Sequence, residues 1–159
     1  MAYMEELAKA LKDDDPLTRE RVANALKELE DPRATLPLIE ALGDPCGDVR
    51  RAAAWALSWV GDERARPALV RALEDECDGV RLWGASGLER IGDECAVEAL
   101  IEAISDQDSY VRRSAVYALA TIGDCRAVKP ITRALEDEDC YVRKAAESAL
   151  FELLEEKTM

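Results

Sequence analysis

Apolar positions recur along this chain with the spacing of an α-helix, and nowhere with the alternation that marks a half-buried strand. Between Gly47 and Val60 the residues Val49, Ala53, Ala56, Leu57 and Val60 are spaced four, three, one and three apart, which puts them on one stripe of a 3.6-residue helix. A shorter apolar segment at 64–73 follows, and the two then alternate. The pattern predicts short helices near 33–42, 64–73, 95–104 and 126–135, and long ones near 47–60, 79–91, 109–122 and 140–154. Residues 1–11, with Met4, Leu7, Ala8 and Leu11 on one side, and a helix from Pro16 to about Leu29 form the first pair.

The alternation is a repeat. Blocks beginning at Lys12, Gly43, Glu74, Ser105 and Glu136 are 31 residues apart and register without an insertion. What every block shares is what stacking demands, and what differs is free for other work. Gly61, Gly92 and Gly123 stand where a long helix ends, suited to a left-handed C′ conformation, and Asp62, Asp93 and Asp124 follow as N-caps. Pro37, Pro67 and Pro130 fall near the start of short helices, so those first turns are expected to be irregular because of the proline. The last block replaces the terminal glycine with Leu154 and runs into Glu155, Glu156 and Lys157, a polar end cap.

In one block the motif reads Val111, Arg112, Ala115, Ala118, Leu119, Ile122, Gly123, Asp124, Arg126 and Ala127. It resembles the HEAT-like repeat of phycobilisome-lyase type. That resemblance covers nearly the whole chain and implies an all-α superhelix, a HEAT-like solenoid of five antiparallel helix pairs forming a single domain over residues 1–159, with the second helix of each pair lining the concave surface. Members of the superfamily include chromophore-lyase subunits, adaptors and designed binders, so the likeness speaks to fold more than to activity.

Arg19, Arg50, Arg81, Arg112 and Arg143 occupy one place in the five blocks, and Asp13, Asp44, Asp75, Asp106 and Asp137 another, six residues earlier. Such regularity reads as a ladder of Arg to Asp or Arg to carbonyl bonds at the repeat joints. The outward face of the long helices does not repeat. It carries Leu17, Glu20, Arg21, Asn24 and Glu28, then Asp48, Arg51, Ala52, Trp55 and Trp59, then Gly79, Leu82, Trp83, Ser86 and Arg90. Tyr110, Arg113, Ser114, Tyr117 and Thr121 follow, then Tyr141, Lys144, Ala145, Ser148 and Glu152. Several Trp and Tyr exposed together, at about 150–250 Å² each, would exceed the roughly 300–600 Å² patch usual on a monomer, which marks a binding face. The competing reading is that Trp83 or Tyr117 fills a groove between neighbouring long helices.

With 21 Lys plus Arg against 34 Asp plus Glu the net charge is −13, which argues against nucleic acid or an anionic membrane as partner. The acidity concentrates in the turns from short to long helix, Asp13 to Asp15, Asp44, Asp48, Glu74 to Glu76, Asp78, Asp106, Asp108 and Glu136 to Asp139, opposed by little more than Lys12. One rim should be strongly negative. None of these turns has the ordered spacing of a calcium loop. No basic leader or apolar run of roughly 18 residues is present, and a cytoplasmic location is expected.

The chain has no histidine, which removes the commonest general base and metal ligand, and with them Ser-His-Asp, Cys-His and His-Glu iron arrangements. Cys46 and Cys77 sit one repeat apart, roughly 9–10 Å and too far for a disulfide, and Cys95 and Cys125 read as small filler. No catalytic residue, metal or cofactor is expected, and the chain reads as not an enzyme. The expectation is a protein–protein interaction scaffold that binds another, unidentified protein through Trp55, Trp59, Trp83, Tyr110, Tyr117 and Tyr141, with Arg51, Arg90 and Arg113 as polar neighbours. Two alternatives stand: a bilin (tetrapyrrole) lyase-type subunit whose hollow cradles the chromophore between these aromatics, and a self-assembling homodimer through the same residues.

Overall fold

The computed structural model describes residues 2–29 and 31–155. Among them the regular structure is wholly helical. The α-helices are α1 (Ala2–Ala10), α2 (Pro16–Leu29), α3 (Thr35–Ala41), α4 (Gly47–Val60), α5 (Arg66–Ala72), α6 (Asp78–Ile91), α7 (Val97–Ala103), α8 (Ser109–Ile122), α9 (Val128–Ala134) and α10 (Cys140–Glu155). They form five pairs, each a short helix followed by a long one. The anticipated polar end at Glu156 and Lys157 lies outside the described residues.

Each long helix α4, α6 and α8 ends on a glycine in the left-handed region, with φ of 65° at Gly61, 66° at Gly92 and 75° at Gly123, a conformation that a Cβ penalises. The chain then turns into the next short helix through a 3₁₀ turn, as at Pro32–Ala34 and Glu63–Ala65. Asp31, Asp62, Asp93 and Asp124 cap these turns, accepting from the N–H two residues on. The irregular start is therefore common to all four, and proline is not its cause: α7 has the same 3₁₀ entry at Glu94–Ala96 and no proline in its first turn. The aspartate cap draws the chain into the tighter turn, and Pro37, Pro67 and Pro130 fall in the first turn of the following helix, where a missing N–H is tolerated.

The core is built from equivalent places. Leu26, Leu57, Leu88 and Leu119 from the long helices interleave with Leu38, Leu69, Leu100 and Ile131 from the short ones, all at 0% exposure. Each contributes about 1.5–3 kcal/mol of burial. Alanines such as Ala53, Ala56, Ala115 and Ala118 are buried between them, and they let successive long helices lie close. α2, α4, α6, α8 and α10 pack in that order as a continuous layer, whereas the short helices meet their neighbours mainly through the 3₁₀ turns, as α3 does with Glu63–Ala65.

The arginine ladder exists, and it joins repeats. Arg50 Nε and Nη2 donate to Asp75 Oδ2 and Oδ1 of the next repeat at 2.8 and 3.0 Å, while its Nη1 donates to the carbonyl of Asp44, six residues earlier, at 3.0 Å. Arg19 does the same with Asp44, Arg81 with Asp106 and Arg112 with Asp137. Each of these aspartates also accepts from the N–H two residues on, so one carboxylate closes its own turn and receives the preceding repeat. The Arg19 guanidinium holds the Asp44 carboxyl below its ordinary range against the opposing effect of burial. The rim is consequently less negative than the turns suggest. Asp44, Asp75, Asp106 and Asp137 are turned inward and neutralised by these arginines rather than left to Lys12 alone.

Candidate functional site

The long helices α2, α4 and α6 carry two adjoining hollows that share one wall, the indole of Trp83. The larger, about 420 Å³, is lined by Ser58 and Trp59 of α4, Trp83, Ser86, Glu89 and Arg90 of α6, and Thr121 of α8. The smaller, about 270 Å³, is lined by Glu20 and Asn24 of α2, Arg51, Ala52 and Trp55 of α4, and again Trp83. Together they form a trough of the size that accepts small organic ligands, roughly 300–1,000 Å³.

Trp55 and Trp83 meet at the smaller hollow. Their ring centroids lie 5.9 Å apart at an interplanar angle of 39°, within the range in which aromatic pairs attract. Trp83 stands where three of the other blocks place the buried Ala52, Ser114 and Ala145 and the first places the exposed Arg21. Its ring outgrows that buried place: part packs against Val80, Ala54 and Ala72, and the rest projects into the trough. Trp83 thus packs into a groove and lines both hollows at once. The outward face is narrower than its periodicity implies, because Ala52, Ser114 and Ala145 face the neighbouring long helices instead of water.

Trp59 is 46% exposed at one edge of the larger hollow. Lys27 lies with its Nζ 3.8 Å from the Trp55 ring centroid and 5.5 Å from that of Trp59, and is also paired with Glu28 at 2.8 Å. Arg51 pairs with Asp48 at 2.9 Å, and its stem runs across Gly79 so closely that a Cβ there would lie 2.6 Å from the arginine Cδ. Arg90 lies in the same way across Gly61, with Nε 2.9 Å from where a Cβ would stand. Glu89, half-buried beside it, has its carboxyl pushed above the ordinary range by burial.

The remaining candidates lie further along the same layer. Tyr110 and Tyr141, both close to 60% exposed, sit at the starts of α8 and α10 under Arg113 at 5.2 Å and Lys144 at 5.8 Å respectively. Tyr117 is exposed midway along α8. Neither hollow includes these tyrosines or Arg113, so the expected residues divide into a trough group of Trp55, Trp59, Trp83, Arg51 and Arg90 and an open tyrosine group.

Lys27, Ser58 and Glu89 were not among the residues the sequence singled out. They occupy one place in successive blocks, followed by Ala120 and Phe151, and the same test of non-recurrence applied there would have found them. The cysteines are free. Cys46 and Cys77 are half-buried, but Cys95 and Cys125 are exposed and fill no space, because the 3₁₀ turns that carry them stand out from the rim. Among the described residues no helix is long and apolar enough to cross a membrane.

The family pattern of HEAT repeats matches residues 4–88 and 72–150. The chain belongs to the HEAT repeat family. A solved complex of CpcE and CpcF of phycocyanin lyase from Nostoc sp. PCC7120 is similar with a TM-score of 0.87 and 27% identity, over 98% of this chain and 66% of that one. The chain thus spans just under two thirds of that relative. An engineered protein is similar at TM-score 0.76 and 24% identity, over 96% of this chain and 80% of that one. A designed armadillo repeat protein in complex with the peptide (KR)4 is similar at TM-score 0.76 and 17% identity, over 96% and 82%. The last two likenesses concern the fold. No curated protein matches the chain.

The first likeness corrects the expectation of a chain that is not an enzyme. A HEAT scaffold similar over almost all of this one is part of a lyase. The absence of histidine was too strong a filter: it removes one general base, while carboxyl, guanidinium and indole groups remain to orient a reactive ligand and hold its charge.

Proposed function

We propose that this HEAT protein is a bilin-lyase-type subunit that cradles a linear tetrapyrrole in the trough between α2, α4 and α6 and works together with a second protein chain. The observation that carries the reading is the trough itself. Three tryptophans gather at two adjoining hollows, on a scaffold 27% identical to a chain of the phycocyanin lyase complex. The flat indoles of Trp55 and Trp83 offer a surface for an extended conjugated ligand, and Trp59 closes one side. Two subunits in that complex support a protein partner here, and the open group of Tyr110, Tyr117, Tyr141 and Arg113 on α8 and α10 has the composition of interface anchors.

Titration with biliverdin, a linear tetrapyrrole, tests the reading. The expected result is a saturable absorbance shift with quenching of tryptophan fluorescence, weakened about tenfold or more by Trp55→Ala. A panel of bilins that leaves the spectra of ligand and protein unchanged would overturn it.

A further inference from the structure

Two arginines cross the groove between α4 and α6 in opposite directions. Arg51, near the start of α4, lies on Gly79 of α6, and Arg90, at the end of α6, lies on Gly61 after α4. They differ in what they already hold. Arg51 is engaged by Asp48 at 2.9 Å. Arg90 is exposed and has no ion-pair partner among the described residues, yet its stem is not free to wander: Gly61, left-handed at φ 65°, gives it a bed that any side chain would fill. The corresponding places of the other blocks hold Glu28, Trp59, Thr121 and Glu152, so Arg90 is the one cation at that position of the repeat.

The guanidinium is therefore a pre-placed, unneutralised cation at the wall of the larger hollow, which Trp59 and Trp83 also line. A planar fork of donors beside aromatic walls suits a carboxylate carried on a flat apolar body. The neighbouring Glu89 opposes such an anion when it is ionised, and burial raises its carboxyl above the ordinary range.

We infer that Arg90, bedded on Gly61, is the residue that recognises a carboxylate of the ligand, while Arg51 serves to join α4 to α6. The inference rests on the tetrapyrrole reading above and names which part of the ligand this wall reads, namely a propionate-type side chain.

The test compares biliverdin with its dimethyl ester, which keeps the conjugated body and removes both charges. Wild-type protein should prefer the acid. Arg90→Gln should weaken the acid about tenfold to a hundredfold and leave the ester within about twofold. Gly61→Ala, which displaces the arginine without removing it, should reduce the same preference, and Arg133→Gln, an exposed arginine on α9 outside both hollows, should leave it intact. Circular dichroism melts of each variant show whether the fold is kept. If Arg90→Gln affects acid and ester alike, or neither, or if Arg133→Gln removes the preference instead, the assignment of Arg90 fails while tetrapyrrole binding stands. If wild-type protein binds neither acid nor ester, the tetrapyrrole reading fails and this inference with it.

Discussion

Arg81 of the third repeat grips Asp106 of the fourth through two parallel bonds, Nε to Oδ2 at 2.7 Å and Nη2 to Oδ1 at 3.0 Å. The pair is buried on both sides, and the third nitrogen donates to the carbonyls of Asp75 and Glu76. Replacing Arg81 with alanine strands a carboxylate and two carbonyls at the joint. The expected loss is about 3 kcal/mol in urea unfolding, with a far smaller effect for Arg126→Ala, whose pair with Asp124 is half-exposed. Equal midpoints for the two variants would show that the ladder does not hold the joints.

Ladder aspartates make stability depend on acid. The carboxyls of Asp44 and Asp137 are held below their ordinary range, first by the arginine bonds and against burial. A lowered folded-state value means that their contribution is present above the ordinary aspartate range, near pH 4, and is lost as pH falls through the lowered value. The melting temperature should fall steeply below about pH 4. In Arg112→Ala that acid slope should flatten, because Asp137 loses its partner.

Glu89 has the opposite sign. Burial raises its folded-state value, so its contribution is present below the ordinary glutamate range and is lost as pH rises through the raised value. At neutral pH the ionised carboxylate is a cost. Glu89→Gln should melt higher than wild type at pH 7, and the gap should close in acid. A gap of the same size at both pH values would rule out the carboxyl as its source.

Two long helices lack the cap that others have. Asp108 and Asp139 accept from the backbone of Tyr110 and Val111 and of Tyr141 and Val142, whereas Cys46 and Cys77 stand in the corresponding places without a side-chain bond to the helix backbone. All four residues are half-buried, so an aspartate fits that environment. Cys46→Asp should therefore stabilise the protein by about 0.5–1 kcal/mol, read as a shift of the urea midpoint at unchanged slope. A loss would mean that the neighbouring Asp44 and Asp48 repel the new charge by more than the cap contributes.

Local signals in this chain were legible because each depends on one stretch of backbone. Gly61 and Asp62 announce a helix end and a cap wherever they occur, since a positive φ and a short side-chain acceptor are needed within a few residues. The proline at place 67 invited a local explanation for an irregular turn, and the same turn at Glu94–Ala96 shows that the aspartate cap was the cause. Among the site residues, Trp55 and Trp59 were visible as departures from the repeat. Lys27 and Glu89 depart from the repeat in the same way, but what they meet, the Trp55 ring for Lys27 and the larger hollow for Glu89, came only from the structure.

The repeat of 31 residues, the pairing of short and long helices and the stripe that becomes core were determined by the sequence alone, since the 3.6-residue period and the recurrence of small residues leave one way to stack. Tertiary structure decided what meets between blocks. Arg50 takes the side chain of Asp75 and only the carbonyl of Asp44; Trp55 meets Trp83 although the two occupy different places in their repeats; Arg90 comes to lie on Gly61. The reason is geometric: the offset of one long helix against the next is set by packing in three dimensions, and a linear period carries no record of it.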